Sequence, residues 1–124
     1  MVNYELRDLY ERIRKTYGEK FSYGGGDYTM QRDVDGLVIS IEPPQERLGH
    51  EEGIYVLLTA PLLDETPERL IDRLNILISK RDTLKRKGYI SELRNYADGI
   101  EYLYDIPKST ESNLERIVRD FNDI

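Results

Sequence analysis

The sequence predicts a single α+β domain over residues 1–124, with an antiparallel sheet, a long central helix packed on it, and the order α-β-β-β-α-β-β-α. Three observations carry that prediction. Thr66 to Gly88, TPERLIDRLNILISKRDTLKRKG, is a helix with signals at both ends. Tyr28 to Glu42 and Tyr89 to Pro107 each contain an Asp-Gly pair between segments that alternate apolar and polar. Such dipeptides suit the two-residue turns whose twist matches that of the flanking strands.

The first element is a helix over Asn3 to Tyr17, with Asn3 as its cap. Leu6, Leu9, Tyr10, Ile13 and Tyr17 fall at helical spacing, and Gly18 ends it. Phe21 to Gly26 follows, and its glycine triplet invites comparison with a phosphate loop. No Gly-Lys-Ser/Thr follows and no helix starts there, so the stretch is read as a connector.

The Asp35-Gly36 turn of the first hairpin pairs Val34 with Leu37, Arg32 with Ile39 and Met30 with Ile41. One face then gathers Tyr28, Met30, Val34, Leu37, Ile39 and Ile41. The other holds mostly Thr29, Gln31, Asp33, Ser40 and Glu42. Both strands choose the same apolar face, as a fixed register requires. Arg32 is the exception on that face, where it either snorkels, pairs across the strands or binds an anion.

Pro43-Pro44 stops the second strand. Ile54 to Ala60, IYVLLTA, is a third strand with Ile54, Val56, Leu58 and Ala60 on one face and Tyr55, Leu57 and Thr59 on the other. A strand covered on one side alternates more cleanly than this. Either helices cover both faces, or the second face, at Tyr55 and Leu57, meets a protein partner or a second copy of the chain.

Thr66 caps the central helix and Pro67 occupies its first position, where the missing N–H costs nothing. Acidic residues lead it, basic residues close it, and Gly88 supplies a left-handed stop. Leu70, Ile71, Leu74, Leu77, Ile78 and Leu84 form its apolar stripe. Arg81 falls within that stripe, so it either snorkels or serves as a cation for a carboxylate or an anionic ligand.

The Asp98-Gly99 turn pairs Ala97 with Ile100, Asn95 with Tyr102 and Leu93 with Tyr104. A short helix over Ile90, Leu93 and Ala97, capped by Ser91, is the competing pattern for the first half of this segment. Ser109 or Thr110 caps the last helix, with Leu114, Ile117, Val118 and Phe121 on one face.

Composition narrows the function classes. A net charge of −6 and a pI near 4.9 argue against nucleic acid or an anionic membrane as partner. The chain lacks cysteine, which excludes disulfides, thiolate nucleophiles and Cys-ligated metals. His50, the single histidine, lies beside Glu51 and Glu52 with no second imidazole, so neither a metal site nor a Ser-His-Asp arrangement is legible. No cofactor is expected, and no carboxylate pair stands out for acid–base work. The opening Met-Val-Asn-Tyr-Glu-Leu has no signal-peptide pattern, which leads to the expectation of a cytoplasmic protein. Charged residues at 34%, ten tyrosines and no tryptophan resemble a thermophile's composition.

The element order, the small size and the acidic character together resemble the type III secretion chaperone-like fold, which includes the bacterial YbjN-like proteins. The segment from Asn95 to Phe121, a strand, Asp98-Gly99, a second strand and a closing helix containing Asn113-Leu114, is locally similar. That resemblance implies a compact module that often dimerises and binds other proteins without catalysis, and it transfers no binding residue to this chain. The reading is therefore a non-enzymatic protein-binding module, adaptor-like or chaperone-like, with a homodimer as one version of it and Tyr55 and Leu57 at the contact. The alternative is a small-anion or metabolite site built on Arg32 and Arg81.

Overall fold

The computed structural model describes residues 4–23, 29–44, 53–61, 66–96, 99–104 and 107–124. Among these residues three helices and six strands follow one another as α1 (Tyr4–Tyr17), β1 (Ser22–Tyr23), β2 (Met30–Val34), β3 (Leu37–Glu42), β4 (Tyr55–Pro61), α2 (Pro67–Arg86), β5 (Ser91–Tyr96), β6 (Gly99–Tyr104) and α3 (Glu111–Asn122). The strands form one sheet in the order β1-β2-β3-β4-β6-β5, antiparallel throughout. This is the expected α+β architecture with one strand more. Ser22–Tyr23 pairs with Met30 and Gln31, and two residues carry no periodic signal by which to recognise a strand.

The first hairpin has the expected register: Val34 opposes Leu37, Arg32 opposes Ile39 and Met30 opposes Ile41. Its turn depends on Asp35 at φ 51° and Gly36 at φ 83°, the two positive values a type I′ turn needs. The second hairpin is offset by two residues from expectation. Asn95 opposes Ile100, Leu93 opposes Tyr102 and Tyr96 closes against Gly99. Gly99 is thus a strand residue, paired also with Pro61 of β4. A slip of two preserves which side chains share a face, so apolar patterning alone does not separate the two registers. Strand, not helix, is the state of Ser91–Tyr96.

All three helices contribute to one core against one face of the sheet. Tyr10 and Ile13 of α1, Leu77 and Leu84 of α2, and Leu114, Ile117, Val118 and Phe121 of α3 are buried with Met30, Ile39, Ile41, Val56, Leu58, Tyr102 and Tyr104. Helices α1 and α3 run side by side in the same direction. Tyr10 shares a 3.1 Å hydrogen bond with Ser109, Arg12 pairs with Glu111 at 2.9 Å, and the Lys20 N–H donates to Asn122 at 2.9 Å. Thr110 caps α3 through the Asn113 N–H.

Helix α2 begins as expected, its Thr66 hydroxyl accepting from the Arg69 N–H and Pro67 in the first turn. Its buried line is rotated from the expected stripe. Leu77 and Leu84 are enclosed and Leu70 and Leu74 half-buried, whereas Ile71 is 59% exposed and Ile78 is 43% exposed. The cause lies on the opposite flank. Lys80 pairs with Asp35 at 3.4 Å and Arg73 donates to the Pro61 carbonyl at 2.6 Å, which rolls Ile71 and Ile78 outward.

Candidate functional site

Because the helices occupy one side, the outer face of the sheet carries no helix among the described residues. The strand registers lay its side chains out in rows. One row runs Gln31, Ser40, Leu57, Leu103, Glu92, and the next runs Asp33, Val38, Thr59, Glu101, Arg94. Tyr55 precedes Leu57 by two places along β4, opposite Glu42. Directly opposed side chains in such a ladder stand about 5 Å apart, and diagonal ones about 7–8 Å. Val38, Tyr55, Leu57 and Leu103 therefore form one apolar patch on this face, each of them half-buried.

The rim of the patch is ionic. Arg94 donates to Glu101 at 2.7 Å, and Thr59 donates to the second oxygen of the same carboxylate at 3.4 Å. Glu101 is only 8% exposed, and a carboxylate that enclosed needs those donors. The same hydrogen bond raises the Arg94 guanidinium above its ordinary value. Among the described residues, Asp33, Glu92 and Glu101 around the patch outnumber Arg94, so this part of the rim is acidic.

Tyr55 and Leu57 thus lie together on the open face. Arg32 and Arg81 do not come together. Arg32 points into the helix layer, 8% exposed, and donates to the carbonyls of Phe121 (2.6 Å), Asn122 (2.8 Å) and Ile124 (2.7 Å). It closes the C-terminal end of α3, where carbonyls lack helical partners and the dipole favours a cation. Burial pulls its pKa below the ordinary value, while Asp35 and Asp123 act the other way.

Arg81 donates to Asp82 through two nitrogens at 3.1 and 2.9 Å, and its guanidinium lies 5.4 Å from the ring centre of Tyr102. The hydrogen bond to Asp82 is the main reason its pKa is raised. Tyr102 stands in the same row as Arg32 but three strands away, roughly 14 Å at the ordinary strand spacing.

Val38 and Leu103 are members of the patch that the sequence reading missed, although strand parity places both on this face. The pairing of β4 with β6, which brings Leu103 beside Leu57, had no local signal. His50 and its neighbours lie outside the described residues, and among the described residues no cluster of His, Cys, Asp or Glu suits a metal. A cleft of about 180 Å³ beside Tyr89, Tyr104 and Arg116 is smaller than the ~300–1,000 Å³ of typical small-molecule sites. No helix among the described residues is long and apolar enough to cross a membrane. No protein-family model matches the chain, and no curated protein or solved structure matches it.

Proposed function

We propose that this chain is a non-enzymatic protein-binding module, adaptor-like or chaperone-like, which engages its partner with the outer face of the sheet. The observation that supports this reading most is the Val38, Tyr55, Leu57 and Leu103 patch on a face that carries no helix among the described residues. Tyr55 and Leu57 at its centre supply apolar area, and the tyrosine does so at low entropic cost. The acidic rim selects the partner's chemistry: an apolar anchor flanked by lysine or arginine. Arg32 and Arg81 give the metabolite-binding alternative less support, since one is occupied by three carbonyls and the other by Asp82 and Tyr102.

The test places a photo-reactive amino acid at position 57 and, as a control, at the exposed Glu68 of α2, in cells that express the chain. Discrete protein adducts at position 57, absent at 68 and abolished by Tyr55→Asp, are expected. Identical adducts at both positions, or none at 57, overturn the reading.

A further inference from the structure

The two edges of the sheet are built differently. Strand β1 is two residues long, which is one way a protein blunts an edge. Strand β5, SELRNY, is six residues long, regular in register, and without proline or lysine. Tyr96 and Gly99 close its hairpin across two residues, and a two-residue turn closes on a hydrogen-bonded pair. Backbone direction alternates along a strand. Glu92, Arg94 and Tyr96 therefore bond to β6, while Ser91, Leu93 and Asn95 aim their N–H and C=O groups at the open edge.

We infer that two copies of the chain join through β5, antiparallel about a twofold axis at Leu93, into one continuous sheet. Charge chooses this register from the few that the backbone allows. Centring on Glu92 would set two glutamates face to face, and centring on Arg94 two arginines. With Leu93 opposite Leu93, Ser91 opposes Asn95, and Glu92 of each copy opposes Arg94 of the other. Arg94 already holds Glu101 from β6, so each arginine then lies between two carboxylates. Up to about six backbone hydrogen bonds form at the edge.

The same arrangement covers three of the four large apolar residues that stand exposed among the described residues, Ile90 being the exception. Leu93 is 56% exposed although it lies on the inner face. Arg81 over Tyr102, the strand neighbour of Leu93, shows that this flank of α2 leans toward β5. Ile71 and Ile78 lie on that flank. A twofold axis normal to the sheet keeps both helix layers on one side, so these isoleucines and Leu93 from both copies close over the joint. The outer face with Tyr55 and Leu57 stays open, so the self-contact does not depend on the partner-binding reading.

Sedimentation and native mass spectrometry of the full chain at ~50 μM test the inference. The wild type is expected to be a dimer. Glu92→Arg and Arg94→Glu each place like charges in opposition twice, and each is expected to weaken the dimer about tenfold or more. Mixed one to one, the two variants restore every opposite-charge pair and yield a heterodimer. Leu93→Pro removes an N–H that β6 does not use, so it gives a folded monomer even should Arg94→Glu fail to fold. A monomeric wild type overturns the inference, as does a dimer indifferent to Leu93→Pro or a mixture of folded variants that does not pair. Adducts from position 57 are read in the Leu93→Pro variant, whose side chain lies on the inner face away from the Tyr55 and Leu57 patch and its rim, so failure here and failure of the partner-binding reading are told apart.

Discussion

Replacing Arg32 by methionine keeps the aliphatic stem and removes the guanidinium that ends α3. Three carbonyls, at 2.6, 2.8 and 2.7 Å, lose their donor together. Hydrogen bonds to a charged group contribute about 1.5–3 kcal/mol each, though bonds made by one group do not add in full. Losing the cation also removes its own burial penalty, so the net cost is about 3–5 kcal/mol, the range for breaking a buried charged contact. Unfolding entropy near 2.1 cal/mol/K per residue gives about 0.26 kcal/mol/K for 124 residues. The melting temperature is then expected to fall by about 12–19 °C. Arg32→Lys, a point charge that cannot span the fork, should recover about half of the loss. Thermal unfolding followed by circular dichroism and calorimetry measures the shift, and hydrogen exchange of the last turn of α3 locates it. A fall below about 3 °C, or unchanged exchange in that turn, would refute the reasoning and mean that water serves those carbonyls equally well.

Two further perturbations probe the helix layer. Burial pushes the Tyr10 phenol up from 10.0 to about 12, partly offset by its hydrogen bond with Ser109; the unfolded chain, which ionises first, gains relative to the fold as the pH rises. The stability tied to Tyr10 is complete below pH about 10 and lost as the pH climbs through about 12, a change of about 2–3 kcal/mol. Tyr10→Phe should flatten alkaline unfolding by that amount, and an unchanged slope counts against it. At Gly18 an added methyl would stand 2.7 Å from a Val118 methyl carbon, so Gly18→Ala should cost about 1–3 kcal/mol. Val118→Ala makes room, so the double variant should be about 1 kcal/mol more stable than the sum of the two losses predicts. Strict additivity in denaturant titrations would mean that the clash relaxes elsewhere.

What local sequence reveals, and where it stops, follows a physical line. Asp35-Gly36 set both the turn and its register, because its backbone angles are rare and the flanking pattern agrees with them. The second hairpin slipped by two places because parity is blind to even shifts. Leu77 and Leu84 were readable as core, but Ile71 and Ile78 were not readable as surface, since Lys80 and Arg73 of α2 are held by the remote Asp35 and Pro61. Snorkelling, cross-strand pairing and anion binding all stay open for Arg32 in the sequence because its actual partners lie 89 to 92 residues further along. The Tyr55 and Leu57 face was visible as an excess of apolar residues in one strand. Its neighbours and its acidic rim came only with the pairing of β4 to β6.

That pairing also bears on how the molecule assembles. Strands β1 to β4 form a meander whose contacts are local, and β5 with β6 forms a separate hairpin, so each piece can organise early. Joining them brings Leu57 to Leu103 across α2 and a whole hairpin, a long loop to close and therefore a late step. Until then Tyr55–Pro61, the most apolar strand, is an unsatisfied edge open to any passing chain. The docking of β6 is the step that closes this edge.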